Sequence, residues 1–160
     1  MADDVEKIYS ALRANGTGAV SGGQKANEFH PVSENEILQL ESDIGFKIPS
    51  QLRKFYLDVG WGFLDVDSDG KYQNDYPNNI VSPDRLRLFW KREEVSFQYD
   101  SDLVDKDELA FFDMGDFMYL VVRPFSNLPN AVYYPRDSNP VSEDFESFIA
   151  SLYRNTTFYL

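Results

Sequence analysis

The chain has 160 residues, no cysteine and a formal net charge of -12, with a pI near 4.4. These values exclude disulfides, thiolate metal sites and a cysteine nucleophile, and they disfavour partners as anionic as nucleic acid or a lipid surface. A hydrophobic content of 42%, with 16% aromatic residues, excludes a disordered acidic chain and suffices for one domain with a core free of cross-links.

The opening MADDVEKIYS is acidic and lacks the basic-then-apolar pattern of a signal peptide. No apolar run reaches the length of a membrane span, so the expectation is a cytoplasmic protein. Val5, Ile8 and Leu12 recur on one face and predict a helix over 4–14. The Gly-rich NGTGAVSGGQKAN that follows reads as a flexible linker. This divides the chain into an N-terminal helix (1–14), a linker or loop (15–31) and a single domain (32–160).

In VSENEILQLESDIG, Ser33 and Glu36 have capping-box spacing, Val32 and Ile37 stand at hydrophobic-staple positions, and Gly45 suits a left-handed C-terminal cap. Ile37, Leu40 and Ile44 line one face of the predicted helix. A second follows in KIPSQLRKFYLDVGWG, with Pro49 early, a stripe of Leu52, Phe55, Tyr56 and Val59, and Gly60 to end it.

DVDSDGKYQNDY, from Asp65 to Tyr76, begins like a calcium loop, with Asp65, Asp67, Asp69 and Gly70 at its first four defining positions. Position 12, where a bidentate Glu closes the coordination sphere, is Tyr76. Two prolines in DYPNNIVSP also break the helix that should follow. The expectation is a solvated acidic turn without calcium.

Ser82, Pro83 and Asp84 predict a capped helix through RLRLFWKREE, although Leu86, Leu88 and Trp90 also alternate as a strand would. From Leu109 the period changes. LAFFDMG, DFMYLVVRP and AVYYPR are short, rich in aromatic and β-branched residues and separated by turn residues, which predicts consecutive antiparallel strands. Phe145, Phe148, Ile149 and Leu152 predict a closing helix, begun by Ser142. Helices at both ends with a meander between them make an α+β domain.

This order of pieces resembles the SUKH superfamily of cell-wall-assembly regulators and bacterial immunity proteins, over about 32–152. The resemblance rests on Glu36, Ile37, Leu40 and Gly45, on Ile48-Pro49 with Phe55 and Tyr56, on Gly115-Asp116 before a strand, and on Phe145 and Phe148. Where the family has Asn-Gly-Gly after its second helix, this chain has Gly60-Trp61-Gly62, which leaves the turn geometry and the aim of Trp61 open. The resemblance implies a central, mostly antiparallel mixed sheet with amphipathic helices packed against it. It also implies a non-enzymatic role, most often neutralising a toxin, many such toxins being nucleases.

The residues offer little for catalysis. The one histidine, His30, precedes Pro31 in a stretch that reads as a loop, so neither a metal cluster nor a histidine-based triad can be assembled. Asp113 and Asp116 suit turn-making around Gly115 better than acid–base work. The expectation is no enzyme and no cofactor. The acidic residues do favour a basic protein partner such as a nuclease domain. One acidic region holds Asp65, Asp67, Asp69 and Asp75, with Trp61 and Tyr72 interleaved. The other runs from Glu93 to Asp116 with nine acidic residues against Lys106 alone, and holds Tyr99, Asp100, Asp102, Asp105 and Asp116 as partner-binding candidates. Charge beside aromatic anchors is the make-up of an interface hot spot. The alternative function is an intracellular regulator or scaffold of the cell-wall type.

Overall fold

The computed structural model describes residues 2–14, 20–21, 24–25, 27–71 and 76–160. Much of the expected linker, and Tyr72 and Asp75, therefore lie outside the described residues. Helix α1 spans Ala2–Ala14. It is followed by a small antiparallel ribbon of β1 (Val20–Ser21) and β2 (Gln24–Lys25).

Two helices obey their local signals. In α2 (Glu34–Ile44) the Ser33 hydroxyl accepts from the Glu36 amide at 3.2 Å and donates to the Glu36 carboxylate. Gly45 closes α2 at φ 88°, its N–H on the Glu41 carbonyl. Helix α3 (Ser50–Asp58) buries Leu52, Phe55 and Tyr56, as their spacing requires, and Pro49 stands just outside its first turn.

The sheet is a five-stranded meander in the order β3 (Glu28–His30), β4 (Trp61–Phe63), β5 (Asn79–Ile80), β6 (Leu109–Gly115) and β7 (Met118–Val122), antiparallel at every described pairing. His30 thus belongs to a strand rather than a loop, paired with Trp61. The Gly-Trp-Gly segment acquires its reason here. A Cβ on Gly60 would lie 2.0 Å from the His30 carbonyl oxygen, and one on Gly62 would lie 1.9 Å from that of Glu28. Only glycine lets β3 approach this closely.

Between β5 and β6 run α4 (Pro83–Trp90) and a 3-10 helix (Val95–Gln98). The Ser82 side chain accepts from the Arg85 amide at 3.2 Å with Pro83 next in line, so the capped helix prevails over the alternating strand. The expected third strand, AVYY, is reduced to single bridges from Val132 to Ser142 and from Tyr133 to Val121. Those bridges also correct the start of α5 (Phe145–Arg154). The Ser142 carbonyl is engaged by Val132, and the cap falls to Asp144, which accepts from the Ser147 amide at 2.7 Å.

Aromatic side chains build the core. Phe55, Phe111, Phe112, Phe145 and Phe148 are fully buried. They meet mainly edge to face, with Phe55–Phe145, Phe111–Phe145 and Phe112–Phe148 centroids 5.3 to 5.5 Å apart, an arrangement that complementary ring charge favours. A register irregularity between Ala110 and Phe112 accompanies the placement of both Phe111 and Phe112 against Phe148, which strict alternation would forbid. Helix α1 packs on α3 and α5, burying Ile8, Tyr9 and Leu12, with the Tyr9 ring 5.2 Å from Phe55.

Candidate functional site: the acidic end of the sheet

In an antiparallel meander, alternate connections leave the same end of the sheet. The β4–β5 connection and the β6–β7 turn therefore emerge together, and Pro77 of the first lies 3.3 Å from where a Gly115 Cβ would stand in the second. Asp67 and Asp69 are thus carried to the same end as Asp116. Trp61, by contrast, starts β4 at the opposite end, where its ring stacks on His30 at 4.4 Å. The His30 Nε2 in turn lies 3.1 Å from the Glu28 carboxylate.

The β4–β5 connection is tied down from within. Asn27 accepts from the amides of Asp65 and Val66 at 2.9 and 3.0 Å. Asn78, buried at φ 42°, donates to the carbonyls of Leu64 and Thr156 and accepts from the Tyr159 hydroxyl. Asp65 is only 8% exposed and has interactions within the fold, so it contributes little to the accessible surface. One Asp67 oxygen accepts from the amides of Asp69 and Lys71 at 3.1 and 2.9 Å, and Gly70 turns at φ 74°. The stretch that mimics the start of a calcium loop is here a self-capped aspartate turn. Asp69 is left exposed.

The second acidic region divides into interior and surface. Glu108, 2% exposed, receives two N–H bonds from Arg123 at 3.1 and 2.9 Å and the amides of Asp105 and Arg136. Asp113 pairs with Arg85 at 2.8 Å and accepts from the Gly115 amide at 2.7 Å, the turn-making role its position predicts. Burial opposes the charge on Arg85, but Asp113 and Glu94 outweigh it, and the guanidinium pKa is raised. Asp102 and Asp105 border a groove of about 820 Å³ that also takes in Arg92, Lys106, Arg123 and Arg136.

Asp100 and Asp116 remain at the surface, each next to an exposed ring. The β6–β7 turn holds two residues, Asp116 at φ 52° and Phe117 at φ 60°, between the paired Gly115 and Met118. Phe117 is 48% exposed and stacks on Tyr99, 74% exposed, with centroids 5.5 Å apart and planes 23° apart. Tyr99 arrives there from the end of the 3-10 helix. The sequence reading places Tyr99 among the binding candidates but omits Phe117, which it assigns to a strand. The available signal was the dipeptide Asp116-Phe117, where a two-residue hairpin favours Asp-Gly. No group of three or more His, Asp or Glu side chains among the described residues is arranged to hold a metal ion. No described helix is long and apolar enough to cross a membrane.

The model of the SMI1 / KNR4 family (SUKH-1) matches residues 31–151 of the chain. The chain is also similar to a Bacillus subtilis (strain 168) protein named Immunity protein YxxD, 29% identical over 140 residues that cover 85% of this chain and 90% of that protein.

Proposed function

Since the chain belongs to the SMI1/KNR4 family (SUKH-1), we propose that it is a non-enzymatic immunity protein that binds and neutralises a cognate protein toxin in the cytoplasm. The observation that carries this reading is the similarity to a named immunity protein along nearly the whole of both chains. A toxin whose catalytic cleft grips a polyanion, as a nuclease does, presents a positive surface. A chain of net charge -12 meets such a surface with long-range attraction that accelerates encounter and aligns the partners. The contact then rests on Asp69, Asp100 and Asp116 at one end of the sheet, with Tyr99 supplying desolvated area. Asp67, Asp75, Asp102 and Asp105 add negative charge to the chain's long-range field, Tyr72 is a further candidate contact, and Trp61 contributes only if the partner also reaches the β3–β4 edge.

The test is co-expression with the product of the gene immediately upstream, scored by survival and by recovery of a complex. Protection together with a stable complex is the expected result. Toxicity without protection or complex, from a folded and soluble chain, overturns the reading in favour of the regulatory alternative.

A further inference from the structure

Twice inside this fold an arginine lies over an aromatic ring while a carboxylate holds its guanidinium. Arg85 stands 5.2 Å from the Phe89 centroid with Asp113 at 2.8 Å. Arg123 stands 3.8 Å from the Tyr133 centroid with Glu108 at 2.9 Å. The hairpin tip presents the same two components to solvent. Tyr99 and Phe117 stack with much of each ring exposed, and Asp100 and Asp116 adjoin them in the chain. Among the described residues, no cation of this chain lies over either ring.

Local energetics do not explain Phe117. A large side chain at positive φ is disfavoured, and the turn it occupies takes glycine readily. With its ring half in water, burial offsets little of that cost. Backbone strain of this kind persists where the surrounding fold enforces it and clusters at binding sites. Met118, also exposed, extends the apolar surface beside it.

We propose that the Tyr99–Phe117 stack is an anchor for an arginine of a basic protein partner, the guanidinium lying on the rings while Asp116 or Asp100 accepts its N–H groups. Arginine is specified over lysine because its planar, weakly hydrated cation stacks on rings and forms paired hydrogen bonds to a carboxylate, whereas an ammonium holds its water. The partner's identity rests on the immunity reading; the arginine chemistry does not.

The experiment titrates the full chain with oligo-arginine and oligo-lysine peptides of equal length and charge, followed by calorimetry and by the amide shifts of Tyr99 and Phe117. Oligo-arginine is expected to bind about tenfold more tightly. Phe117→Gly should abolish that preference while Tm stays equal to wild type or rises, because Asp116 would then precede the residue such a turn favours. Tyr99→Ala should abolish the preference independently. Equal binding of the two peptides to the wild-type chain, or an arginine preference that survives both substitutions, overturns the proposal. Lost protection in co-expression with the arginine preference intact strikes only the immunity reading, and the converse result strikes only this anchor.

Discussion

The interior and the acidic end of the sheet are built from the same residue types, arranged to opposite effect. Phe111 and Phe112 are fully buried and meet Phe148 edge to face, and elsewhere in the fold the buried carboxylate of Glu108 is held by an arginine and two amides. At the hairpin tip two rings lie parallel in water beside Asp100 and Asp116, and the chain adopts an unfavourable backbone to hold one of them there. The interior carboxylate of Glu108 thus has its partners within the fold itself. At the tip, Asp100 accepts only the Asp102 amide, at 2.9 Å, and the carboxylates and rings there otherwise face solvent. Substitutions should therefore split cleanly, with interior changes costing stability and tip changes costing association.

The largest effect belongs to Phe148. Its ring contacts Phe111, Phe112, Phe145 and Phe158, and Phe148→Ala should destabilise the fold by about 3–5 kcal/mol, read as a shift in the denaturant midpoint. An unchanged midpoint would erase the distinction between the two regions. Next is Glu108→Ala, which leaves Arg123 and the amides of Asp105 and Arg136 without their acceptor. A loss of about 2–3 kcal/mol is expected, against less than about 0.5 kcal/mol for Asp116→Asn at the tip.

The buried tyrosines sharpen the contrast through pH. Tyr56 is fully buried and donates to the Val81 carbonyl at 2.7 Å. Burial pushes its pKa up from the ordinary value of 10.0, so the folded chain keeps the proton after the unfolded chain has released it. This stabilising difference is intact below pH 10 and is lost as pH rises beyond it, by about 1.4 kcal/mol per pH unit. Because burial raises Tyr9 and Tyr159 as well, denaturation followed between neutral pH and pH values above the tyrosine range should show at least that slope, and Tyr56→Phe should remove its share.

The smallest expected energy falls on the surface charges, where kinetics report it. Asp69 lies outside the proposed arginine anchor, and Asp69→Asn should slow association with the proposed toxin partner about twofold to threefold at low salt and leave dissociation and Tm nearly unchanged. Asp100→Asn with Asp116→Asn should also speed dissociation. The difference should fade as salt is raised. A change confined to the dissociation rate for Asp69→Asn would place Asp69 inside the contact rather than around it.

The parts of the molecule that were legible in sequence depend on neighbours three or four residues away. Ser33 to Glu36, Gly45 to Glu41 and Ser82 to Arg85 each close within one helical turn, so residue type and spacing determined α2 and α4, and the stripe Leu52, Phe55, Tyr56 determined the buried face of α3. The short strands were not legible. β3, β4 and β5 have two or three residues each, too few to show alternation, and their existence depends on distant pairings such as His30 with Trp61 and Ile80 with Phe112. The binding candidates divide in the same way. Asp65 and Asp69 stand in one acidic run and read alike, yet Asp65 is buried at a position where its amide meets Asn27, 38 residues earlier, while Asp69 is exposed. Sequence by itself determined the acidic, aromatic-rich composition, the family-like order of helices and strands, and the capped helices, because these are sums or local contacts. Tertiary structure decided which carboxylates and rings reach solvent together, because burial is set by strand pairing and helix packing across long stretches of chain, and no local interaction carries that information.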